Sequence, residues 1–318
     1  MATVQQWISG ARPRTLPLSL APILIACGAA YAYMTTTAVA PKDPQQSEAR
    51  GSSAMNIGWA IDTEAISVAL SAVLLSLCLQ IGCNYANDYS DGMRGTDEHR
   101  VGPVRLTASG LAKPATVKRA AFISFGVAAV AGLSLVLVSG AWILLPIGVS
   151  AILAAWFYTG GKKPYGYYGL GEVFVFIFFG LVATLGTTYA LIGTVTTSAM
   201  ASAIGMGSFA CGVLVANNLR DIPSDEAAGK RTLAVKLGDS QSRKFYITTC
   251  VVPYMCLIVP IVQGHVWTAI AILSAGFIIP QMRTVLRGAT GADLIPTLKG
   301  TSMATLVYSF FLGLGLTL

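Results

Sequence analysis

Charge is scarce in this sequence. Only 11% of the residues are Asp, Glu, Lys or Arg, against about 25% in soluble domains, and that deficit excludes an ordinary water-facing surface. Histidine is nearly absent: His99 and His265 are the two. They fall on opposite sides of a membrane in the topology derived below, so a histidine-built metal site is excluded and any metal must be held by oxygen. The six cysteines, Cys27, Cys78, Cys83, Cys211, Cys250 and Cys256, include no CxxC pair and all lie in apolar stretches. Small buried hydrophobes is the reading that fits them, not a redox or zinc motif. Strand-like alternation is missing too, which argues against a transmembrane barrel.

What the chain has instead is apolar length, with 54% of 318 residues hydrophobic. A hydrocarbon core of about 30 Å takes about 20 apolar residues per helix. Nine stretches qualify, at 16–34, 63–86, 117–138, 141–158, 170–192, 198–217, 244–263, 265–282 and 301–318. Almost nothing remains for a soluble region, so the expectation is an all-α integral membrane protein, a nine-transmembrane-helix bundle forming a single domain over 1–318.

The net charge of +7 would suit nucleic acid, but the placement of the charges decides otherwise. With a cytoplasmic N-terminus, nine spans put the connections 87–116, 159–169, 218–243 and 283–300 inside. Together with the N-terminal segment and the inner ends of the adjoining spans, which add Lys118, Arg119 and Lys244, these hold 19 of the 21 Lys and Arg residues, leaving only Lys42 and Arg50 outside. The positive-inside rule accounts for that pattern, and no nucleic-acid partner is needed. The C-terminus is then exterior. Arg12 and Arg14 ahead of Leu24-Ile25-Ala26-Cys27 imitate a lipoprotein signal; Pro13, Pro17 and Pro22 crowd it, and eight further spans favour an uncleaved first helix. The polar stretch 41–56 reads as a flexible exterior loop.

Asp43, Glu48, Asp62 and Glu64 fall on the exterior side, and most of the other acidic residues gather in two short stretches at inner span ends. The first runs Asn84-Tyr-Ala-Asn87-Asp88-Tyr-Ser-Asp91-Gly-Met-Arg94-Gly95-Thr-Asp97, the second Asn217-Asn218-Leu-Arg220-Asp221-Ile-Pro223-Ser-Asp225-Glu226. Residues three and four apart share a helix face, so Asn84, Asn87, Asp88 and Asp91 project together, as do Asn217, Asn218 and Asp221. Pro223 is expected to kink or end the second helix, which would deliver Asp225 from a turn. Two carboxylates per cluster beside amide oxygens suit Mg²⁺, which takes few carboxylates plus water and phosphate oxygens. Solvated helix caps paired with nearby Arg and Lys are the plainer reading of one such cluster. Two clusters of the same design, whose carboxylates would repel unless a cation joined them, argue for the metal. A third stretch, Tyr158-Thr-Gly-Gly-Lys162-Lys163-Pro-Tyr165-Gly-Tyr167-Tyr168, falls on the same side. Taken alone, it would pass as interfacial anchors.

In these residues the sequence resembles the UbiA superfamily of intramembrane prenyltransferases. Asn84-x-x-Asn87-Asp88-x-x-Asp91 is similar to its first Asp-rich motif, Asp221-x-x-x-Asp225 to its second and Tyr158-x-x-x-Lys162 to its Tyr/Lys motif. Where many members continue the first motif with a third Asp, this chain has Gly95, with an Asp only at Asp97. That departure is similar to the dihydroxynaphthoate subgroup. So are Arg12-Pro-Arg14, Arg100-Val-Gly-Pro-Val-Arg105 through Ser109-Gly110, the Asn217-Asn218-Leu-Arg220-Asp221 run and Gly229-Lys230-Arg231. The resemblance implies Mg²⁺, two ions, held by Asp88, Asp91, Asp221 and Asp225, and ionisation of a polyprenyl diphosphate. It implies attack by 1,4-dihydroxy-2-naphthoate with loss of CO₂, a step of menaquinone synthesis in the inner membrane. Asn84, Asn87, Asn217 and Asn218 would position the diphosphate. Lys162, Arg14, Arg100, Arg105, Arg220, Lys230 and Arg231 would bind its oxygens, and the Tyr158 ring would face the allylic cation. Another aromatic acceptor, 4-hydroxybenzoate or homogentisate, is the alternative within the superfamily. A transporter is the alternative outside it, and transporter sites tend to lie at the bilayer midplane, whereas these acids stand at the inner ends.

Overall fold

The computed structural model describes residues 2–39, 63–96 and 105–318. Asp97, His99, Arg100 and the 41–56 segment lie outside the described residues. Helices account for nearly everything described: α1 Val4–Gly10, α2 Pro17–Val39, α3 Thr63–Met93, α4 Pro114–Ser139 and α5 Leu144–Phe157 come first. They are followed by α6 Gly171–Ile192, α7 Thr197–Ala227, α8 Leu233–Val262, α9 Val266–Leu286 and α10 Ile295–Thr317. Eight are long and apolar enough to cross a membrane, and the ninth expected span is the shorter apolar α5. The all-α bundle expected from the hydrophobic runs is the fold observed.

Local chemistry sets the ends. Pro114 opens α4 at a position whose N–H would be unbonded in any case, and Gly140 closes it in the left-handed region (φ 66°), its N–H returning to the Val136 carbonyl. Thr196 and Thr232 cap α7 and α8 with their side-chain oxygens. Three spans are irregular. α6 passes through a π-helical stretch at Phe176–Val182, α8 bends at Gly238 (φ 75°), and α9 begins as a 3₁₀-helix at Val266–Ser274.

Pro223 does not end its helix. α7 runs on to Ala227 with Pro223 inside it, so Asp225 is a helical residue and not the turn residue expected from the sequence. A proline within the last two turns forfeits one backbone bond where the helix has few left to make, and the Ser224 hydroxyl donates to the Asp221 carbonyl at 3.0 Å beside it.

α7 is the central element, buried on all sides. Its first five turns are built largely from Ser, Ala and Gly, which lets neighbouring backbones come close. At Gly180 on α6 an added Cβ would stand 2.5 Å from the Cα of Gly207 on α7, so the two helices touch backbone to backbone. Phe209 of α7, Tyr254 of α8 and Tyr308 of α10 meet edge to face behind that contact, and the Tyr308 hydroxyl donates to the Pro253 carbonyl at 2.7 Å.

The connections expected on one side are joined to one another. The Arg94 guanidinium after α3 donates to the carbonyls of Thr159 and Gly161 after α5. The Arg231 backbone N–H donates to the Tyr167 carbonyl at 2.9 Å, and Lys236 Nζ to that of Tyr168 at 2.7 Å. Arg243 reaches the carbonyls of Val285 and Ala289. Four connections thus form one polar platform over the ends of α3, α5 and α7.

Candidate active site

A cavity of about 370 Å³ opens beneath that platform. Its inner part is apolar, walled by α3, α4, α5 and α6; among its lining residues, Leu133 of α4 and Leu145 and Val149 of α5 remain 44%, 41% and 53% exposed. Its polar end is where the two acidic clusters meet. Asn84, Asn87 and Asp91 of α3 and Asn217, Asn218, Asp221 and Asp225 of α7 all line it, as the i, i+3, i+4 spacing requires.

Lys230 joins the clusters. Its Nζ lies 3.2 Å from Asp91 Oδ2 and 3.9 Å from Asp225 Oδ1, all three side chains being buried. Arg105 stands 3.8 Å from the same Asp91 oxygen. Asp221 is gripped by the Arg220 guanidinium, Nε to Oδ1 and Nη2 to Oδ2, both at 2.6 Å, while Nη2 also donates to Asn217 Oδ1 at 2.8 Å. Buried carboxylates persist only with such partners.

Asp88 does not line the cavity. Its two oxygens accept from the backbone N–H groups of Leu106 and Thr107, each at 2.8 Å, so it holds the segment that carries Arg105. Asn84 and Asn87 are also engaged: Asn84 Nδ2 donates to the Ala11 carbonyl at 2.9 Å, and Asn87 Oδ1 accepts from Thr159 Oγ1 at 2.8 Å.

Tyr158 caps α5 and lines the cavity. Its ring is held in a slot: an added Cβ at Gly166 would lie 2.9 Å from it and at Gly171 3.2 Å, while Tyr165 packs edge to face at 5.5 Å. Lys162, Arg14 and Arg231 are exposed and do not line the cavity. The structure brings Arg105, Arg220 and Lys230 to the carboxylates and leaves those three at the rim.

Several groups enter to which sequence reasoning assigned no role at the site. Tyr167 donates its hydroxyl to Asp91 Oδ1 at 2.7 Å, with Lys230 4.9 Å and Arg94 5.3 Å from its ring centre. Burial, and then the Asp91 charge, push its pKa far up, so it stays a donor. Its signal was visible only as one Tyr in an aromatic run. Arg12 lines the cavity with a positive φ of 56°, immediately before Pro13, a backbone state that costs about 1–3 kcal/mol and gathers at functional sites. Glu172, buried at the start of α6, accepts from Asn218 Nδ2 at 2.9 Å.

The donor set suits a hard cation. Three carboxylates and the neutral amides of Asn217 and Asn218 face one cavity end, yet among the described residues no group of three or more His, Cys, Asp or Glu side chains could hold an ion by itself. A cation here would complete its shell from water or a bound phosphate, as Mg²⁺ does.

The residue pattern of the UbiA prenyltransferase family matches residues 51–311. Two relatives, each named 1,4-dihydroxy-2-naphthoate octaprenyltransferase, come from Mycobacterium leprae and Mycobacterium tuberculosis. The first is 42% identical over 318 residues, 100% of this chain and 98% of the relative; the second is 43% identical over 97% and 96%. The solved structure of a UbiA homologue from Archaeoglobus fulgidus, bound to DMAPP and Mg²⁺, superposes with a TM-score of 0.54 at 12% identity, covering 98% of this chain and 99% of that one. That structure shares the fold, and the full-length identities, with a family match across most of the sequence, place the chain in the UbiA prenyltransferase family.

Proposed function

We propose that the chain transfers a polyprenyl group from its diphosphate to 1,4-dihydroxy-2-naphthoate, with release of diphosphate and CO₂. The observation that carries this reading is the meeting of Asp91 and Asp225, from separate helices, on the single Lys230 at the polar mouth of an apolar cavity. A polyprenyl diphosphate has those two halves, and the two mycobacterial relatives carry names that supply the acceptor.

The charge balance supports a divalent cation. Asp91, Asp221 and Asp225 are already matched by Arg105, Arg220 and Lys230, so a diphosphate entering with its own negative charge requires further positive charge. Mg²⁺, named with the Archaeoglobus homologue, would neutralise the leaving diphosphate when bound at Asp91, Asp221 and Asp225. Lys230 and Arg105 are placed to turn from carboxylate to diphosphate oxygens. Tyr167 steadies Asp91 through its hydroxyl. Asp88 acts at one remove, by holding the backbone beside Arg105. Tyr158, fixed in its glycine slot, presents its ring to the cavity where an allylic cation would form, and the apolar walls exclude the water that would quench that cation.

Breaking the allylic C–O bond and forming a C–C bond at the carboxyl-bearing carbon leaves the ring non-aromatic; loss of CO₂ returns the electron pair to it. No proton is gained or lost overall. Purified protein given Mg²⁺, a polyprenyl diphosphate and carboxyl-labelled acceptor should release label in step with diphosphate, and EDTA should stop both. Label retained in the prenylated product, or prenylation of 4-hydroxybenzoate in place of dihydroxynaphthoate, overturns the assignment.

A further inference from the structure

Glu172 is a carboxylate the reaction does not obviously use. It lies in the first turn of α6, 4% exposed, where the helix N-terminus favours a negative charge. Its Oε1 accepts from Asn218 Nδ2 at 2.9 Å, and its Oε2 is buried with no hydrogen-bond partner among the described residues. An ionised carboxylate only accepts. Asn218 must therefore turn its NH₂ toward Glu172, and its Oδ1 points the other way. Glu172 is absent from the cavity wall and Asn218 is part of it; with its NH₂ committed to Glu172, the polar atom Asn218 has left to offer the cavity is the oxygen. That oxygen stands one helical turn before Asp221, on the same face of α7.

We infer that Glu172 is a positioning residue: it fixes the polarity of the Asn218 amide so that a neutral hard oxygen, and not an N–H, faces the divalent cation beside Asp221. An amide is ambivalent, donor at one end and acceptor at the other, and a freely turning Asn218 could offer the cation the wrong end. The buried carboxylate removes that freedom, as a carboxylate behind a metal-bound side chain does elsewhere. Leaving Oε2 unpartnered has a cost. A Gln at this position could bond the same amide without burying a charge, so the carboxylate is explained by what it forbids. This inference rests on the proposed cation site.

The test uses full-length protein in detergent, with Mn²⁺ as the probe, read by electron paramagnetic resonance in the presence of a non-reacting thio analogue of a prenyl diphosphate. Glu172→Gln keeps a hydrogen bond to Asn218 but lets the amide turn over. It should weaken Mn²⁺ binding by about 10- to 100-fold, raise the cation concentration needed for half-maximal turnover to match, and leave the melting temperature unchanged. Asn218→Asp alone sets two carboxylates against each other and should also bind poorly. The double variant Glu172→Gln/Asn218→Asp restores a donor facing an acceptor, with an oxygen left toward the cavity, and should recover most of the lost affinity.

A purely structural bond predicts something else. Glu172→Gln binding Mn²⁺ like the parent protein overturns the inference. So does a loss that tracks a fallen melting temperature, or a double variant no better than Glu172→Gln. If the parent protein binds Mn²⁺ with the analogue but does not prenylate dihydroxynaphthoate, the acceptor assignment fails while the role of Glu172 stands.

Discussion

The aspartates of the two clusters are chemically alike, and their surroundings separate them. Asp91, Asp221 and Asp225 line the cavity and are paired with cations, so Asn substitution at each should lower turnover by about 10²- to 10³-fold while the melting temperature of the detergent-solubilised protein holds. Asp88 holds two backbone amides, and an Asn there can accept from them through one oxygen only. Asp88→Asn should therefore lose about 2 kcal/mol of stability, seen as a lower melting temperature and faster proteolysis near Arg105. Equal melting temperatures for the Asp88 and Asp91 variants would refute this division. The sequence made the clusters legible because i, i+3, i+4 spacing is local. It did not distinguish Asp88 from Asp91, because that depends on which backbone comes to rest against each. Nor could it rank the cations: Lys230 meets Asp91 across 139 positions of sequence, while Lys162, prominent in its motif, ends on the surface.

Among the elements, the spans were readable wherever apolar length alone decides, and their ends were not. The run 63–86 belongs to a helix that reaches Met93, and 198–217 to one that reaches Ala227, because polar residues packed against other protein can extend a helix past its apolar part. The π-helical stretch of α6 and the Gly180–Gly207 contact left no periodic trace. They arise from packing between helices. That contact yields a sharp expectation: Gly180→Val drives a branched side chain into the backbone of α7 and should cost about 1–3 kcal/mol or more, measured as a lower melting temperature or reduced accumulation. Gly140, at a left-handed turn with nothing within 4 Å of an added Cβ, should give a smaller effect as Gly140→Ala, confined to the strain of its φ. If Gly180→Val matches the parent in stability, the backbone contact between α6 and α7 is misplaced.

At the scale of the whole molecule, the joined connections put both acidic clusters and most of the basic residues on one side, and the positive-inside rule predicts a cytoplasmic location for that side. A reporter fused after Leu318 should therefore signal from the exterior. A cytoplasmic signal there would reverse the assignment. The cavity also sets what fits. Gly132 and Gly148 line its apolar part, where an added Cβ meets only Leu75 at Gly132 and nothing at Gly148. Gly132→Leu and Gly148→Leu should shift the product toward shorter prenyl chains when a mixture of diphosphates is offered, read by mass spectrometry; an unchanged distribution would place the chain elsewhere. The half-exposed wall of Leu133, Leu145 and Val149 bears on kinetics as well. A lipid-tailed substrate that reaches the cavity from the bilayer never passes through water, so its molar concentration in the buffer is the wrong variable. Its mole fraction in the surrounding amphiphile governs encounter. Added detergent, at fixed enzyme and fixed total polyprenyl diphosphate, should slow turnover in proportion to dilution of the substrate on the micelle surface, and a short water-soluble diphosphate should be spared that loss.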